Sequence, residues 1–147
     1  MASKISFQEI KSKGVDLLVI AGEASGDEHA SILVGELKIR FPQLRIFALG
    51  GPRLEERGAV LVFDLVDHAV VGIFEVLKNY LFFRRLLHET ISWIDDNRPK
   101  LILLVDFPGF NLRLAEALRR KGISRMGGGQ VCVLQYLSPQ LWAWKAK

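Results

Sequence analysis

Apolar and polar positions along the chain fall into two kinds of block. Short, mostly apolar runs occur at Val15–Ala21, Arg45–Leu49, Val60–Phe63, Leu101–Val105 and Val131–Leu137. Runs of this length, rich in aliphatic and β-branched residues, predict strands, and Leu101–Val105 is apolar enough to be dry on both faces. Between them lie longer stretches with helical spacing. One runs from about Glu28 to Arg40 and is stopped by Pro42, and a single turn follows at Leu54–Arg57 with Gly58 as its C′ residue. A long one covers about Gly72 to Asp96, ended near Pro99, and the last runs from about Asn111 to Lys121, closed by Gly122. Strands alternating with helices predict βαβ units, hence an α/β, Rossmann-like fold with a mainly parallel sheet flanked by helices. Residues 1–14 are polar and mixed and are expected to be a mobile lead-in to one domain over 15–147. Gly127-Gly128-Gly129 is expected to be a flexible insert before the last strand.

The helical stretches differ in how many faces they bury. In the first, Ile32, Leu33, Leu37 and Phe41 share a side. Val70 to Leu87 is too apolar for a one-faced surface helix. Ile73, Val76, Leu77, Tyr80, Leu87 and Ile91 share one face, assigned here to the core. Phe82, Leu86 and Trp93 fall on the opposite face, near Lys78, Arg84 and Arg85. An apolar face with a basic fringe suits a helix lying on an anionic membrane, the alternative being a partner interface or cover by another part of the same protein.

Composition narrows the classes. A chain of 147 residues suits one domain, and its 50% hydrophobic and 24% charged content is ordinary for a globular one. Mean hydropathy is +0.21, on the apolar side. A net charge of +4 favours anionic surfaces, but no Lys/Arg block points to nucleic acid. Cys132 is the only cysteine, which precludes an internal disulfide and fits a reducing compartment. His29, His68 and His88 are too scattered for a zinc pattern. Met1 to Gly14 has no apolar segment of the kind a secretory signal needs, and no uncharged run reaches membrane-spanning length.

Candidate chemistry lies at the strand ends, where ligands of open α/β sheets bind. Asp106 stands where the apolar run Leu101–Val105 stops. Pro108 and Gly109 follow as a turn, and Asn111 is a suitable helix cap. Position alone leaves Asp106 two roles, a general base or an acceptor of loop N–H groups. The first βα turn, Gly22-Glu23-Ala24-Ser25-Gly26-Asp27, has neither the glycine spacing of a dinucleotide fingerprint nor the lysine of a phosphate loop. Its carboxylates would repel phosphate. Glu23, Ser25 and Asp27 suit a neutral ligand rich in hydroxyls, such as a sugar. A helix cap would account for one acidic residue but poorly for Glu23. In Gly50-Gly51-Pro52-Arg53, the arginine could meet an anion or be solvated on a plain turn. Trp142 and Trp144 close the sequence and need something to pack against.

Five segments together resemble one family. They are Ala21-Gly22-Glu23-Ala24-Ser25-Gly26-Asp27, Gly50-Gly51-Pro52-Arg53, Val71-Gly72-Ile73-Phe74-Glu75-Val76-Leu77, Val105-Asp106-Phe107-Pro108-Gly109-Phe110-Asn111-Leu112 and Ser138-Pro139-Gln140-Leu141-Trp142-Ala143-Trp144-Lys145. In this order and spacing they are similar to lipid-A-disaccharide synthases, glycosyltransferases of the GT-B type, over about Val15 to Lys147. The resemblance is to the N-terminal half alone, with the C-terminal, donor-binding half absent. It implies transfer of 2,3-diacylglucosamine from UDP to 2,3-diacylglucosamine 1-phosphate, giving the β-1′,6-linked lipid A disaccharide precursor and UDP. It implies Asp106 as catalytic base, Glu23 and Ser25 in substrate contact, and Asp27, Arg53 and Asn111 as further substrate-binding positions. It matches Val70, Val71, Ile73, Phe74, Leu77, Phe82 and Leu86 to a region of membrane and acyl-chain contact. It implies no cofactor and no metal. The location it implies is the cytoplasmic, inner face of the cytoplasmic membrane of a Gram-negative bacterium, and it admits a separate C-terminal half as partner. After Asp27 the sequence reads Glu28-His29-Ala30, where the family often has an apolar residue, His and Gly. The competing expectation is a non-catalytic Rossmann-like module that binds lipid or a partner.

Overall fold

The apolar runs become five parallel strands: β1 (Leu17–Ala21), β2 (Ile46–Gly50), β3 (Val60–Asp64), β4 (Leu101–Val105) and β5 (Cys132–Tyr136). The computed structural model describes residues 5–10, 14–71 and 76–136, without the side chains of 69–71 and 76–79. The expectations for Leu137, Trp142 and Trp144 lie outside these residues. The strand order is β3-β2-β1-β4-β5, the doubly wound arrangement of a Rossmann-like sheet, as the alternating pattern requires. The helices are α1 (Ala24–Arg40), α2 (Pro52–Glu56), α3 (Leu65–Val71), α4 (Val76–Asn97) and α5 (Pro108–Arg120).

Alternation along the strands divides the core into two layers. Leu18, Ile20, Phe47, Leu49, Ile102 and Leu104 face α4 and α5, against Leu86, Trp93, Ile94, Phe110, Leu114 and Leu118. Leu17, Val19, Ala21, Ile46, Ala48, Leu103 and Val105 face the other way, against Ala30 and Val34 of α1 and Leu54 of α2. The chain changes sides between β3 and β4, and this places a crevice between the carboxyl ends of β1 and β4.

Several sequence expectations are corrected by the packing. Helix α1 begins at Ala24, one turn earlier than Glu28, so most of the supposed first loop is helical. Its buried face is Gly26, Asp27, Ala30, Ser31 and Val34, while Ile32 and Phe41 are more than half exposed. Small residues let the helix lie close to the strands, and that sets its rotation.

In α4 the buried face includes residues that the pattern placed opposite the core, while Leu87 and Ile91 of the expected face are only partly buried against it. Leu86 is fully enclosed and Trp93 and Ile94 are buried beside it, whereas Tyr80 is 59% exposed. Both faces of this stretch are apolar, so periodicity could not choose between them. The sheet took the face carrying Leu86. Leu86 therefore offers nothing to a membrane.

Residues 5–10 are not a free lead-in. Ile5, Phe7 and Ile10 pack on the core, the Phe7 and Phe63 rings lie 5.5 Å apart, and the Gln8 N–H donates to the Val62 carbonyl at 3.2 Å. The three-glycine insert is a tight turn, with a 3-10 segment at Arg125–Gly127. The N–H groups of Gly127 and Gly129 both donate to the Ser124 carbonyl. A side chain at Gly127 would lie 2.0 Å from the Arg119 carbonyl oxygen, so the glycine is a packing requirement.

At the amino ends of the strands, Asp16 ties three of them together. Its carboxylate accepts from the Arg45 backbone N–H at 3.0 Å, from the Arg45 guanidinium at 3.1 Å and from Lys100 Nζ at 2.9 Å. Asp16, Arg45 and Lys100 each immediately precede a strand.

Two outcomes test this architecture. Leu86→Ala should destabilise the fold by about 2–5 kcal/mol, the range for emptying a closed leucine site, in a urea titration. A lipid-facing leucine would leave the midpoint nearly unchanged. The Arg45 side chain, then its backbone N–H, then Lys100 hold the Asp16 carboxyl well below the usual range. A depressed carboxyl stabilises the fold above its unfolded value, near pH 4, and the contribution fades as pH falls toward the native value. The gap in urea midpoint between the wild type and Asp16→Asn should therefore be widest above about pH 5 and shrink below about pH 4.

Candidate functional site

Strands β1 and β4 pair in register to their last residues, Ala21 against Val105. The chain therefore leaves both strands at one level, Gly22-Glu23 beside Asp106-Phe107. Two residues separate β4 from Pro108, the first residue of α5. Both have positive φ, +32° at Asp106 and +108° at Phe107. For non-glycine residues such conformations cost on the order of 1–3 kcal/mol each and persist only where the surroundings enforce them.

Here the Phe107 ring is wedged over Gly22, where a Cβ would lie 2.3 Å from a ring carbon. Phe83 and Phe110 flank the same ring at 5.7 and 5.5 Å. Only a glycine at position 22 lets the two loops close on each other.

Asp106 is half-buried. Its Oδ1 accepts from the Phe107 N–H at 3.2 Å, and Oδ2 makes no hydrogen bond among the described residues. The carboxylate thus keeps one oxygen for chemistry while the other braces the turn. Glu23 is the N-cap residue of α1 without a capping side-chain bond, and Ser25 lies in the first turn. Both are exposed beside Asp106 at the strand ends. Arg53 is exposed at the end of β2, one strand further along.

Two candidates point elsewhere. Asp27 is 1% exposed, and its carboxylate accepts from the backbone N–H groups of Gly51, Arg53 and Leu54 at 2.9, 3.0 and 3.3 Å. It caps α2 from α1 and has no face left for a ligand. Asn111 is not a cap but lies inside α5, 1% exposed, with Nδ2 donating to the Asp106 carbonyl at 3.3 Å. Of the membrane candidates, Phe82 is half-buried with its ring 5.8 Å from His68 and 5.9 Å from Phe83. Leu86 is core. Val70, Val71, Ile73, Phe74 and Leu77 lie outside the described side chains.

A cleft of about 450 Å³ opens next to this turn. It lies between α4 and the start of α5, lined by Tyr80, Phe83, Arg84, Leu87, Phe107 and Arg113, among others. Its walls are mostly aromatic and aliphatic, with two guanidinium groups. Tyr80, Leu81 and Leu112 are more than half exposed on the same two helices. The pairing of Arg84 and Arg113 joins residues distant in sequence and carries no local signal. Among the described residues no cluster of His, Cys, Asp or Glu could hold a metal ion, and no helix is long and apolar enough to cross a membrane.

The sheet order defines the class, a Rossmann-like domain, consistent with the N-terminal half of a GT-B glycosyltransferase. The sequence matches the family model described as lipid-A-disaccharide synthetase over residues 17–147, and the chain belongs to that family. It is 39% identical over 132 residues to lipid-A-disaccharide synthase 1 of Legionella pneumophila strain Philadelphia 1, covering 89% of this chain and 32% of that protein. It is 41% identical over 129 residues to the lipid-A-disaccharide synthases of Myxococcus xanthus and Geobacter sulfurreducens, covering 88% of this chain and 32% of each of them. The chain thus spans about a third of the length of these curated relatives.

Asp27→Ala should lower stability by on the order of 3 kcal/mol, because it strands buried N–H donors that bond to a charged acceptor. Thermal unfolding would then begin several degrees lower. An unchanged midpoint would show that the α1–α2 clamp is dispensable.

Proposed function

We propose that this chain supplies the acceptor side and the catalytic base of a lipid-A-disaccharide synthase. The observation that carries this is Asp106, held at the carboxyl end of β4 with Oδ2 unengaged among the described residues, beside an apolar cleft with two arginines. The acceptor is 2,3-diacylglucosamine 1-phosphate. Its acyl chains suit the aromatic walls of the cleft, and its phosphate suits Arg84 or Arg113. Glu23 and Ser25 meet sugar hydroxyls, and Arg53 meets an anionic group of the substrates.

In the reaction, the acceptor 6-oxygen attacks the anomeric carbon of UDP-2,3-diacylglucosamine. Asp106 takes the hydroxyl proton, the new β-1′,6 bond forms, and the bond to UDP breaks. General-base help of this kind contributes roughly 10²- to 10⁴-fold. The UDP-sugar is held by a second lobe, in keeping with relatives about three times as long as this chain. The exposed Tyr80, Leu81 and Leu112, with the arginines between them, rest on the anionic inner face of the cytoplasmic membrane.

The bond from Phe107 N–H to Asp106 Oδ1 favours one other reading, a binding module in which Asp106 only braces its loop. One experiment separates the two. The chain is titrated in detergent micelles with the acceptor, then mixed with the C-terminal lobe of the Myxococcus xanthus relative and the UDP donor, and UDP release is followed. Acceptor binding by the chain alone, with turnover only in the mixture, is expected. Asp106→Asn should cut that turnover by about a thousandfold with acceptor affinity within threefold, and Arg113→Glu should weaken binding about tenfold. Full turnover by Asp106→Asn would remove the base, and turnover by the chain alone would remove the half-enzyme.

A further inference from the structure

We propose that Asn111 is the positioning residue for Asp106, a role that rests on the function proposed above and goes beyond it. The strand-to-helix link is two residues long, and each residue is in a conformation that L-amino acids disfavour. Phe107 is held there by its ring, wedged over Gly22 and flanked by Phe83 and Phe110. Pro108 has no N–H to contribute, and a residue before proline is kept out of the right-handed helical region. Asp106 has no such wedge. Its own carboxylate reaches forward to the Phe107 N–H, which positions Oδ1 but leaves the main chain of Asp106 to be fixed from elsewhere.

Among the described residues, the side-chain donor that reaches the Asp106 carbonyl is Asn111 Nδ2, from one turn inside α5. The same residue's backbone N–H donates to the Phe107 carbonyl at 3.0 Å. Asn111 therefore grips both carbonyls of the link, one with its side chain and one with its main chain.

The side chain holds this place at a cost to the core. Asn111 is 1% exposed, and no protein donor reaches its Oδ1 among the described residues. Its neighbours along α5 are Phe110 and Leu114, both buried. A leucine would match the surroundings and remove the unpaired Oδ1, but it would give up the donor to the Asp106 carbonyl. An asparagine at such a position is better explained by what its amide holds than by its contribution to packing. The expected signature is a separation of stability from function. Removing the amide should leave the fold intact or firmer while Asp106 loses its fixed orientation.

Asn111→Leu in the 147-residue chain tests this. Its thermal midpoint should equal or exceed that of the wild type. The backbone chemical shifts and three-bond HN–Hα couplings of Asp106 should leave their positive-φ values, and exchange at the Phe107 amide should speed up at least tenfold. Asn111→Ala is the second variant, should leucine crowd the site, and it should move the same signals. In the transferring mixture described above, kcat should fall at least 30-fold with KM for the acceptor within threefold.

Unchanged shifts and couplings at Asp106 in a folded variant would overturn the positioning role. So would unchanged kcat in a mixture where Asp106→Asn is inactive, which fails the inference while the proposed function stands. If Asp106→Asn is itself active, the proposed function fails, and the catalytic meaning of Asn111 fails with it. The shift measurement decides whether Asn111 holds the turn in either case.

Discussion

Between Val105, where β4 stops, and Pro108, where α5 starts, two residues must turn the chain, and most features of the site follow from that shortness. A longer loop could relax into ordinary backbone conformations and would let the carboxylate wander. The short one holds Asp106 at the level where β1 also ends. It drives the Phe107 ring down onto Gly22, so that one loop braces the other. It also brings the amino end of α5 up against α4, where the aromatic cleft forms. Half-buried carboxylate, bracing ring and cleft wall are three consequences of one tight connection.

A second carboxylate shows how position alone can mislead. Asp27 and Asp106 both follow parallel strands in sequence, and both looked available for a ligand. Asp27 is drawn inward because the second strand ends next to it and offers three unpaired N–H groups at the start of α2. Asp106 stays half-exposed because, among the described residues, the backbone N–H it takes is its neighbour's. What separates them is the supply of orphan donors nearby, and that depends on which strands become neighbours.

The fold was legible because buried parallel strands leave long apolar runs. Leu101–Val105 was bounded correctly from its pattern, and the alternation of runs with helical stretches sufficed for the Rossmann-like order. The faces of the helices were not legible to the same degree. Stretch 76–97 carries apolar residues on two faces, so choosing Leu86 or Tyr80 as the inner residue needs the sheet itself. Helix α1 failed differently. Apart from Val34, its inner face is made of glycine, alanine, serine and a buried aspartate, which carry almost no hydrophobic signal. The family motifs marked Asp106 and Asn111 alike as site positions. Their different roles, one half-exposed and the other enclosed, come from a hydrogen bond across a helical turn that no pattern of residue types displays.

The strap formed by residues 5–10 has a meaning for how the sheet behaves toward other molecules. β3 lies at one border of the sheet, and Gln8 occupies the outward carbonyl of Val62 there while Ile5, Phe7 and Ile10 cover adjacent apolar surface. A border strand with open backbone groups is a template on which foreign strands can grow. The strap takes up one such group, the Val62 carbonyl, and covers apolar surface next to it. Trimming residues 5–10 would uncover the Val62 carbonyl and the apolar surface beside it.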